Sequence, residues 1–122
     1  MREIKFRAWN NVSKGMKTNQ QTIELMAEGN PYGYSIMQYT GLKDKNGVEI
    51  YEGDIIKHNY SLTKVIYGRS HNEMGELRES VGFHRVGINN NDLWGTISMT
   101  YGLNSYEVIG NIYENPELLE NN

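Results

Sequence analysis

Four acidic residues in the stretch "DKNGVEIYEGD" are the side chains of this sequence best placed to do chemistry. Asp44, Glu49, Glu52 and Asp54 lie within eleven positions of one another. Paired carboxylates can act as general acid and base, and several together can bind a hard cation. Asp also bonds the backbone of its own turn, and we favour that structural role. Replacing Asp54 by Ala should then cost roughly 0.5–2 kcal/mol, as losing a helix cap does.

Histidines could provide a metal site. His58, His71 and His84 could ligate zinc and leave one position open, but strong zinc motifs have short ligand spacings that are missing here. There is no cysteine, so disulfides and thiolate chemistry are excluded. The sequence also lacks P-loop, GxGxxG and GxSxG motifs. We therefore predict no catalytic residues, no metal and no cofactor, and rank a hydrolase or nuclease using the acidic stretch last.

Basic and aromatic residues are interspersed between positions 57 and 69. Small barrels bind single-stranded nucleic acid by stacking bases on aromatic rings and neutralising phosphates. The candidate surface comprises Lys57, His58, Tyr60, Lys64, Tyr67 and Arg69. The formal net charge is −3, from 12 basic and 15 acidic residues, whereas nucleic-acid-binding domains are usually strongly basic. We therefore favour sheet-forming tyrosines and solvated lysines, and keep nucleic-acid binding as the alternative.

Turn residues must position these side chains. The predicted structural motif is Gly41, Asn46, Gly47, Gly53 and Asp54. Asn46-Gly47 between alternating apolar flanks predicts a type I′ hairpin, in which residues 37–42 pair with residues 48–51. Gly53-Asp54 predicts a second turn, which leads into the strand "IIKHNY".

The composition indicates a mainly β protein, with nine tyrosines, thirteen glycines and two prolines. The alternation of Ile4, Phe6 and Ala8 predicts a half-buried strand, which "NNVSKG" and "MKT" extend into a hairpin. Short strands follow at "KVIYG", "ESVGFHRVG", "TISMTYG" and "YEVIGNIYE", the spacing of a small barrel or sandwich. "NPELLENN" predicts one short C-terminal helical turn.

The 122 residues fit one domain. A soft subdivision could separate N-terminal hairpins in residues 1–50 from an SH3-like small barrel in residues 51–122. Residues 18–29 are ambiguous, because Ile23, Met26 and Ala27 form a helical stripe closed by Gly29, while strand alternation also fits. We lean towards a strand or irregular segment there. The sequence shows no signal peptide and no membrane span, so we expect a cytoplasmic protein without membrane contact.

Three blocks of the sequence resemble the YopX family, a group of small proteins carried by phages and prophages of Gram-positive bacteria. They are "REIKFRAWN" at the start, "QYTGLKDKNGVEIYEGDII" in the middle and "VIGNIYENPELL" at the end. The resemblance implies a mostly β fold, expression in the cytoplasm of the bacterial host and self-assembly. The resemblance implies no activity and no catalytic residues. The hallmark residues are turn glycines, an Asn-Gly hairpin and sheet-facing apolar residues, which specify a fold.

Two functions remain from this reading. The first is a non-enzymatic, self-assembling or protein-binding module whose partner is a second copy, a phage protein or a host protein. The alternative is a nucleic-acid-binding small β-barrel. The strand "TISMTYG" carries no charge and no proline, so it is poorly protected if it lies at a sheet edge. We therefore predict a homo-oligomer with Thr96–Tyr101 in or near a contact.

Overall fold

The computed structural model describes residues 3–29, 32–58, 61–71, 77–88, 97–98 and 105–119. Within these ranges, nine strands form two antiparallel sheets, ordered β2-β1-β3-β4 and β8-β7-β6-β5-β9. The strands are β1 Phe6–Asn10, β2 Met16–Lys17, β3 Tyr34–Lys43, β4 Glu49–Tyr51, β5 Asp54–His58, β6 Ser61–His71, β7 Leu77–Gly87, β8 Ile97–Ser98 and β9 Tyr106–Asn111. The helix α1 spans Asn19–Ala27, and a 3₁₀ helix spans Pro116–Leu119. The predicted mainly β fold with a short C-terminal helical turn is confirmed.

The predicted N-terminal hairpin is confirmed by the pairing of β1 with β2, in which Ala8 lies opposite Lys17. The Asn10 side-chain oxygen accepts the backbone N–H groups of Val12 and Ser13, both at 2.9 Å, and so stabilises the turn. The prediction that Ile4 belongs to the strand is wrong. β1 begins at Phe6, and Ile4 is exposed.

Residues 18–29 are not a strand, which corrects the sequence-based preference. Thr18 caps α1 through its hydroxyl, which accepts the backbone N–H of Gln21 at 3.2 Å, while the Gln21 side chain accepts the backbone N–H of Thr18 at 2.9 Å. This reciprocal capping box satisfies two donors that a helix start otherwise leaves open. Gly29, with φ of +72°, follows the helix and bonds back to Met26. The motif Thr-x-x-Gln was the missed sequence signal.

The central hairpin pairs β3 with β4 as predicted, with Tyr39 opposite Tyr51. Its turn is not type I′, which corrects the prediction. Among the described non-glycine residues a positive φ occurs at Lys14 alone, so Asn46 lacks the conformation that type I′ requires. Gly47, with φ of +82°, donates its N–H to the Asp44 carbonyl at 3.0 Å, and the Asp44 N–H donates to the Val48 carbonyl at 2.8 Å, which leaves a three-residue loop between Asp44 and Val48. The sequence located the hairpin, but the side chain of Asp44 selects the turn type.

The two sheets share one core. Ile50 of β4 packs with four residues of the five-stranded sheet, namely Ile56, Val65, Phe83 and Tyr106. The chain passes from one sheet to the other at Gly53, whose φ is +87° and whose N–H donates to the Val65 carbonyl at 3.0 Å. Gly41, with φ of +88°, lies where the register of β3 on β4 shifts. Both glycines of the predicted motif therefore occupy conformations that side chains disfavour.

The C-terminal 3₁₀ helix follows β9, and the Leu118 N–H bonds the Asn115 carbonyl at 3.1 Å. This confirms the helical turn predicted from Asn115 and Pro116. In the part of the chain that the structure describes, no helix is both long and apolar enough to cross a membrane.

Candidate functional site at the junction of the two sheets

Asp54 lies at the junction of the two sheets, and its carboxylate is fully engaged. One oxygen accepts from Arg7 Nη2 at 2.6 Å, and the other accepts the Tyr51 backbone N–H at 2.7 Å. The Arg7 guanidinium also lies over the Tyr51 ring, 4.5 Å from its centre. Burial raises the pKa of Asp54, and the guanidinium and the backbone donor oppose that rise. Asp54 thus serves its local backbone and also joins β1 to β5 through an ion pair in which the Asp54 side chain is 2% exposed and the Arg7 side chain 17% exposed.

Asp44 is buried, and backbone donors alone satisfy it. One carboxylate oxygen accepts the N–H groups of Asn46 and Val48, at 2.8 and 2.9 Å. The other accepts the Val108 N–H at 2.9 Å, so this side chain links the central hairpin to β9. Burial works against ionisation, but the three N–H groups, helped by the nearby charge of Lys45, hold the pKa of Asp44 below its ordinary value.

The two glutamates of the acidic stretch have different surroundings. Glu49 pairs with Lys5, at 2.6 Å, and this hydrogen bond raises the pKa of the lysine. One oxygen of Glu52 accepts the Gln38 N–H at 3.3 Å. The other oxygen of Glu52 has no hydrogen-bond partner among the described residues. The stretch therefore leaves Glu52 as its one carboxylate with spare bonding capacity.

A cleft of about 290 Å³ opens between the sheets beside Glu52. Apolar side chains from both sheets form most of its wall, together with Tyr67 and Tyr113. Gly53 lies against it, and a Cβ atom there would stand 3.2 Å from the sulfur of Met37. Neither Asp54 nor His58 lines this cleft. Acid–base hydrolysis would be favoured by Glu52, Asp54 and a histidine in one pocket. Glu52, Asp54 and His58 do not share this cleft.

The histidines are not assembled into a metal site in the part of the chain that the structure describes. His58 Nδ1 lies 2.9 Å from the Ser105 hydroxyl, and its ring meets Tyr106 edge-on with centres 5.4 Å apart. The side chains of His71 and His84 lie outside the described residues. Across the described ranges, no three His, Asp or Glu side chains are grouped closely enough to hold a metal ion.

The candidate nucleic-acid residues divide between the two faces of the five-stranded sheet. Lys57 of β5 lies opposite Leu62 of β6, and Lys64 is two residues beyond Leu62 in β6. Both lysines therefore project from the same face of the sheet. His58 and Tyr67 occupy the alternate positions and project from the other face. Tyr60 and the side chain of Arg69 lie outside the described residues. The structure thus brings the two lysines together and separates them from the two rings.

Arg85 was not identified from the sequence and is almost completely buried, at 2% exposure. Its Nε donates to the Tyr106 hydroxyl at 2.8 Å, its Nη1 donates to the Thr63 hydroxyl at 3.4 Å, and its guanidinium covers the Tyr106 ring at 4.5 Å. Nη2 is buried without a hydrogen-bond partner among the described residues. The available signal was alternation in "GFHRVG", which puts Arg85 on the same face as Phe83.

Comparison with solved structures supports the fold. The chain is similar to protein EF1440 from Enterococcus faecalis, a crystal structure, with a TM-score of 0.61 and 28% sequence identity. The match covers 98% of this chain and 99% of that one. No curated protein matches the sequence significantly. The family model described as YopX protein matches residues 13–120, nearly the whole chain. This protein therefore belongs to the YopX family.

Proposed function

We propose that the protein is a non-enzymatic module that assembles with copies of itself in the cytoplasm of a phage-infected or lysogenic bacterium. The observation that carries this proposal is the position of β8, Ile97–Ser98, at the end of the five-stranded sheet. β8 pairs with β7 through Arg85–Ile97 and His84–Ser98. Its other side is an open edge within the described residues, and such an edge is a template for pairing with another chain.

The opposite end of the same sheet shows how this protein covers an edge. There β9 receives the central hairpin: the Lys45 N–H donates to the Tyr106 carbonyl at 3.0 Å, and Asp44 accepts the Val108 N–H at 2.9 Å. No equivalent cover for β8 is found in the described ranges. The sequence around β8, "TISMTYG", provides no charge or proline to discourage pairing. A subunit contact is the natural way to cover it.

The state of the acidic stretch supports a non-enzymatic role. Asp44 and Asp54 direct their oxygens at backbone N–H groups and at Arg7, contacts that hold the fold together. A catalytic carboxylate needs to reach substrate, and these two are buried and occupied. Asp44 and Asp54 therefore serve to hold the fold together and do not act on a substrate.

Light scattering of the purified protein tests self-assembly. We expect a mass above the 14.1 kDa of one chain at micromolar concentration. Ser98→Lys adds a charge to the strand at the end of the sheet and should lower the mass to that of one chain, while circular dichroism shows the fold retained. Ser13→Lys, in the exposed turn after β1, is the matched control and should leave the mass unchanged. A wild-type protein that scatters as a monomer would overturn the proposal.

The alternative is a small barrel that binds single-stranded nucleic acid. The shared face of Lys57 and Lys64 favours it, as does a strand order in which β9 returns beside β5, the arrangement of an SH3-like barrel. Glu107 lies opposite Lys57 and reduces the local positive charge. Salt-sensitive retention of a single-stranded oligonucleotide by wild-type protein, lost in Lys57→Gln/Lys64→Gln, would establish this alternative.

A further inference from the structure

Among the described residues, the cleft between the two sheets is lined by five apolar side chains, two tyrosines, Gly53 and Glu52. Glu52 is the one carboxylate among these residues, and no described lysine, arginine or histidine lines the cleft. No lysine or arginine of the described residues pairs with it, and one of its oxygens has no hydrogen-bond partner there. A negative charge of this kind beside apolar surface repels phosphate and attracts a cation. The cleft is therefore suited to a basic ligand.

The two tyrosines of the cleft are held in place by other rings. Tyr67 is 55% exposed, and its ring meets Phe83 edge-on with centres 5.1 Å apart. Tyr113 stacks on Trp9, with centres 6.4 Å apart and planes tilted by 24°. Rings fixed in this way lose little conformational freedom when a ligand packs on them. Exposed tyrosine that is already oriented is typical of binding surfaces.

Elsewhere in this protein, an arginine side chain binds to a tyrosine ring and a carboxylate of the kind that the cleft offers. At the junction, Tyr51 and Asp54 hold the Arg7 guanidinium between them, 4.5 Å above the ring centre and 2.6 Å from the carboxylate oxygen. The described residues of the cleft supply the ring and the carboxylate but no guanidinium. Its volume of about 290 Å³ is at the lower limit of pockets for drug-sized ligands, so it suits one long side chain.

We propose that the cleft binds an arginine side chain from an extended segment of a partner protein. The guanidinium packs on Tyr67 or Tyr113 and donates to Glu52, while its methylene stem lies along the apolar wall. Charge complementarity favours this occupant over nucleic acid, whose phosphates Glu52 repels. The site is separate from β8, so it does not depend on the self-assembly proposed above.

A peptide titration followed by two-dimensional ¹H–¹⁵N NMR tests the proposal. The probe is acetyl-Ala-Arg-Ala-amide, and the matched control peptide replaces arginine by citrulline, which is neutral and has nearly the same shape. We expect the arginine peptide to shift the amide signals of Gly53 and Val65 with a roughly millimolar dissociation constant, because one side chain provides few contacts. The citrulline peptide should bind at least about fivefold more weakly.

Variants locate the site. Glu52→Gln keeps the acceptor for the Gln38 N–H, so the fold should survive while peptide affinity falls about fivefold. Tyr67→Ala should weaken binding to a similar degree. Tyr32→Ala removes an exposed tyrosine that does not line the cleft, and should leave binding unchanged.

Several outcomes would overturn the proposal. Equal binding of the two peptides, or no shifts at several times the expected dissociation constant, would remove the role of the guanidinium. A loss of affinity in Tyr32→Ala equal to that in Tyr67→Ala would place the peptide elsewhere. A change of scattering mass in Glu52→Gln would identify the occupant as a second copy. Amide shifts at Gly53 caused by an oligonucleotide would identify it as nucleic acid.

Discussion

Two arginines of this protein, one partly buried and one buried, have the same contact with tyrosine but different partners. Arg7 lies over Tyr51 and Arg85 lies over Tyr106, each with its guanidinium 4.5 Å from the ring centre. Arg7 meets the carboxylate of Asp54, whereas Arg85 meets hydroxyl groups and has no carboxylate partner among the described residues.

This difference follows the location of the two sites. Arg7 and Asp54 belong to different sheets, so their ion pair fixes how β1 meets β5. Arg85 and its hydroxyl partners belong to the same five-stranded sheet, whose geometry the ladders of β5, β6, β7 and β9 already fix. Replacing a whole buried ion pair by apolar side chains is often neutral for stability, so such a pair is weak evidence for net stabilisation. We infer that the Arg7 site orients the two sheets, while the Arg85 site fills the core.

The largest expected effect is that of Asp54→Ala. It leaves the Arg7 guanidinium, which is mostly shielded from solvent, without its carboxylate and removes the acceptor for the Tyr51 N–H. We expect the free energy of unfolding to fall by about 3–5 kcal/mol, more than the roughly 0.5–2 kcal/mol expected for a residue that only serves a turn. Chemical denaturation of both proteins measures it.

A double-mutant cycle separates the two contacts of Asp54. Arg7→Met alone should also destabilise strongly, because Asp54 then stays buried without a cation. Adding Arg7→Met to Asp54→Ala should cost much less than Arg7→Met costs in the wild type. Additive effects would show that the two side chains do not depend on each other, contrary to the 2.6 Å contact.

The sequence predicted the strands well because local patterns determine them. Alternation in "EIKFRAW" and the Asn46-Gly47 signal identified two hairpins, and Asn115-Pro116 identified the C-terminal helical turn. The helix was missed because its apolar stripe is weak: Ile23 is exposed and the buried residue is Thr22. Its capping box, rather than its hydrophobic period, was the informative signal.

The site could not be predicted as well, because it depends on residues far apart in the chain. Arg7 and Asp54 are 47 positions apart, and alternation puts Arg7 on the face opposite Phe6 and Ala8, which is the solvent side of a half-buried strand. β1 is in fact the second strand of its sheet, with Ala8 and Trp9 both buried, so neither face is free. The cleft likewise requires two sheets to meet, which no local pattern encodes.

Asp44 and Asp54 are both buried carboxylates, but Asp44 is held by backbone N–H groups where Asp54 is held by an arginine. Asp44→Asn turns one acceptor oxygen into a donor facing those groups, and should cost about 1–3 kcal/mol at pH 7. The folded-state pKa of Asp44 lies below its ordinary 3.8, so its contribution is present above that pH and is lost as pH falls through the folded-state value. The stability difference between wild type and Asp44→Asn should therefore shrink below about pH 4. Urea unfolding at pH 7 and pH 3 checks this, and an unchanged difference would contradict it.

Arg85→Met has the smallest expected effect and tests the comparison most directly. Methionine fills much of the same volume without a charge, and no described carboxylate is left unpaired. The variant loses the hydrogen bonds to Tyr106 and Thr63 but also removes a buried donor that has no partner. Replacing a buried charge by an apolar side chain is often neutral or stabilising, so we expect the free energy of unfolding to stay within about 1 kcal/mol of wild type or to rise. Denaturation of Arg85→Met beside Arg7→Met, the same substitution at the paired site, provides the contrast. Equal large losses in both would mean that Arg85 also depends on an anionic partner, and the distinction between the two arginines would fail.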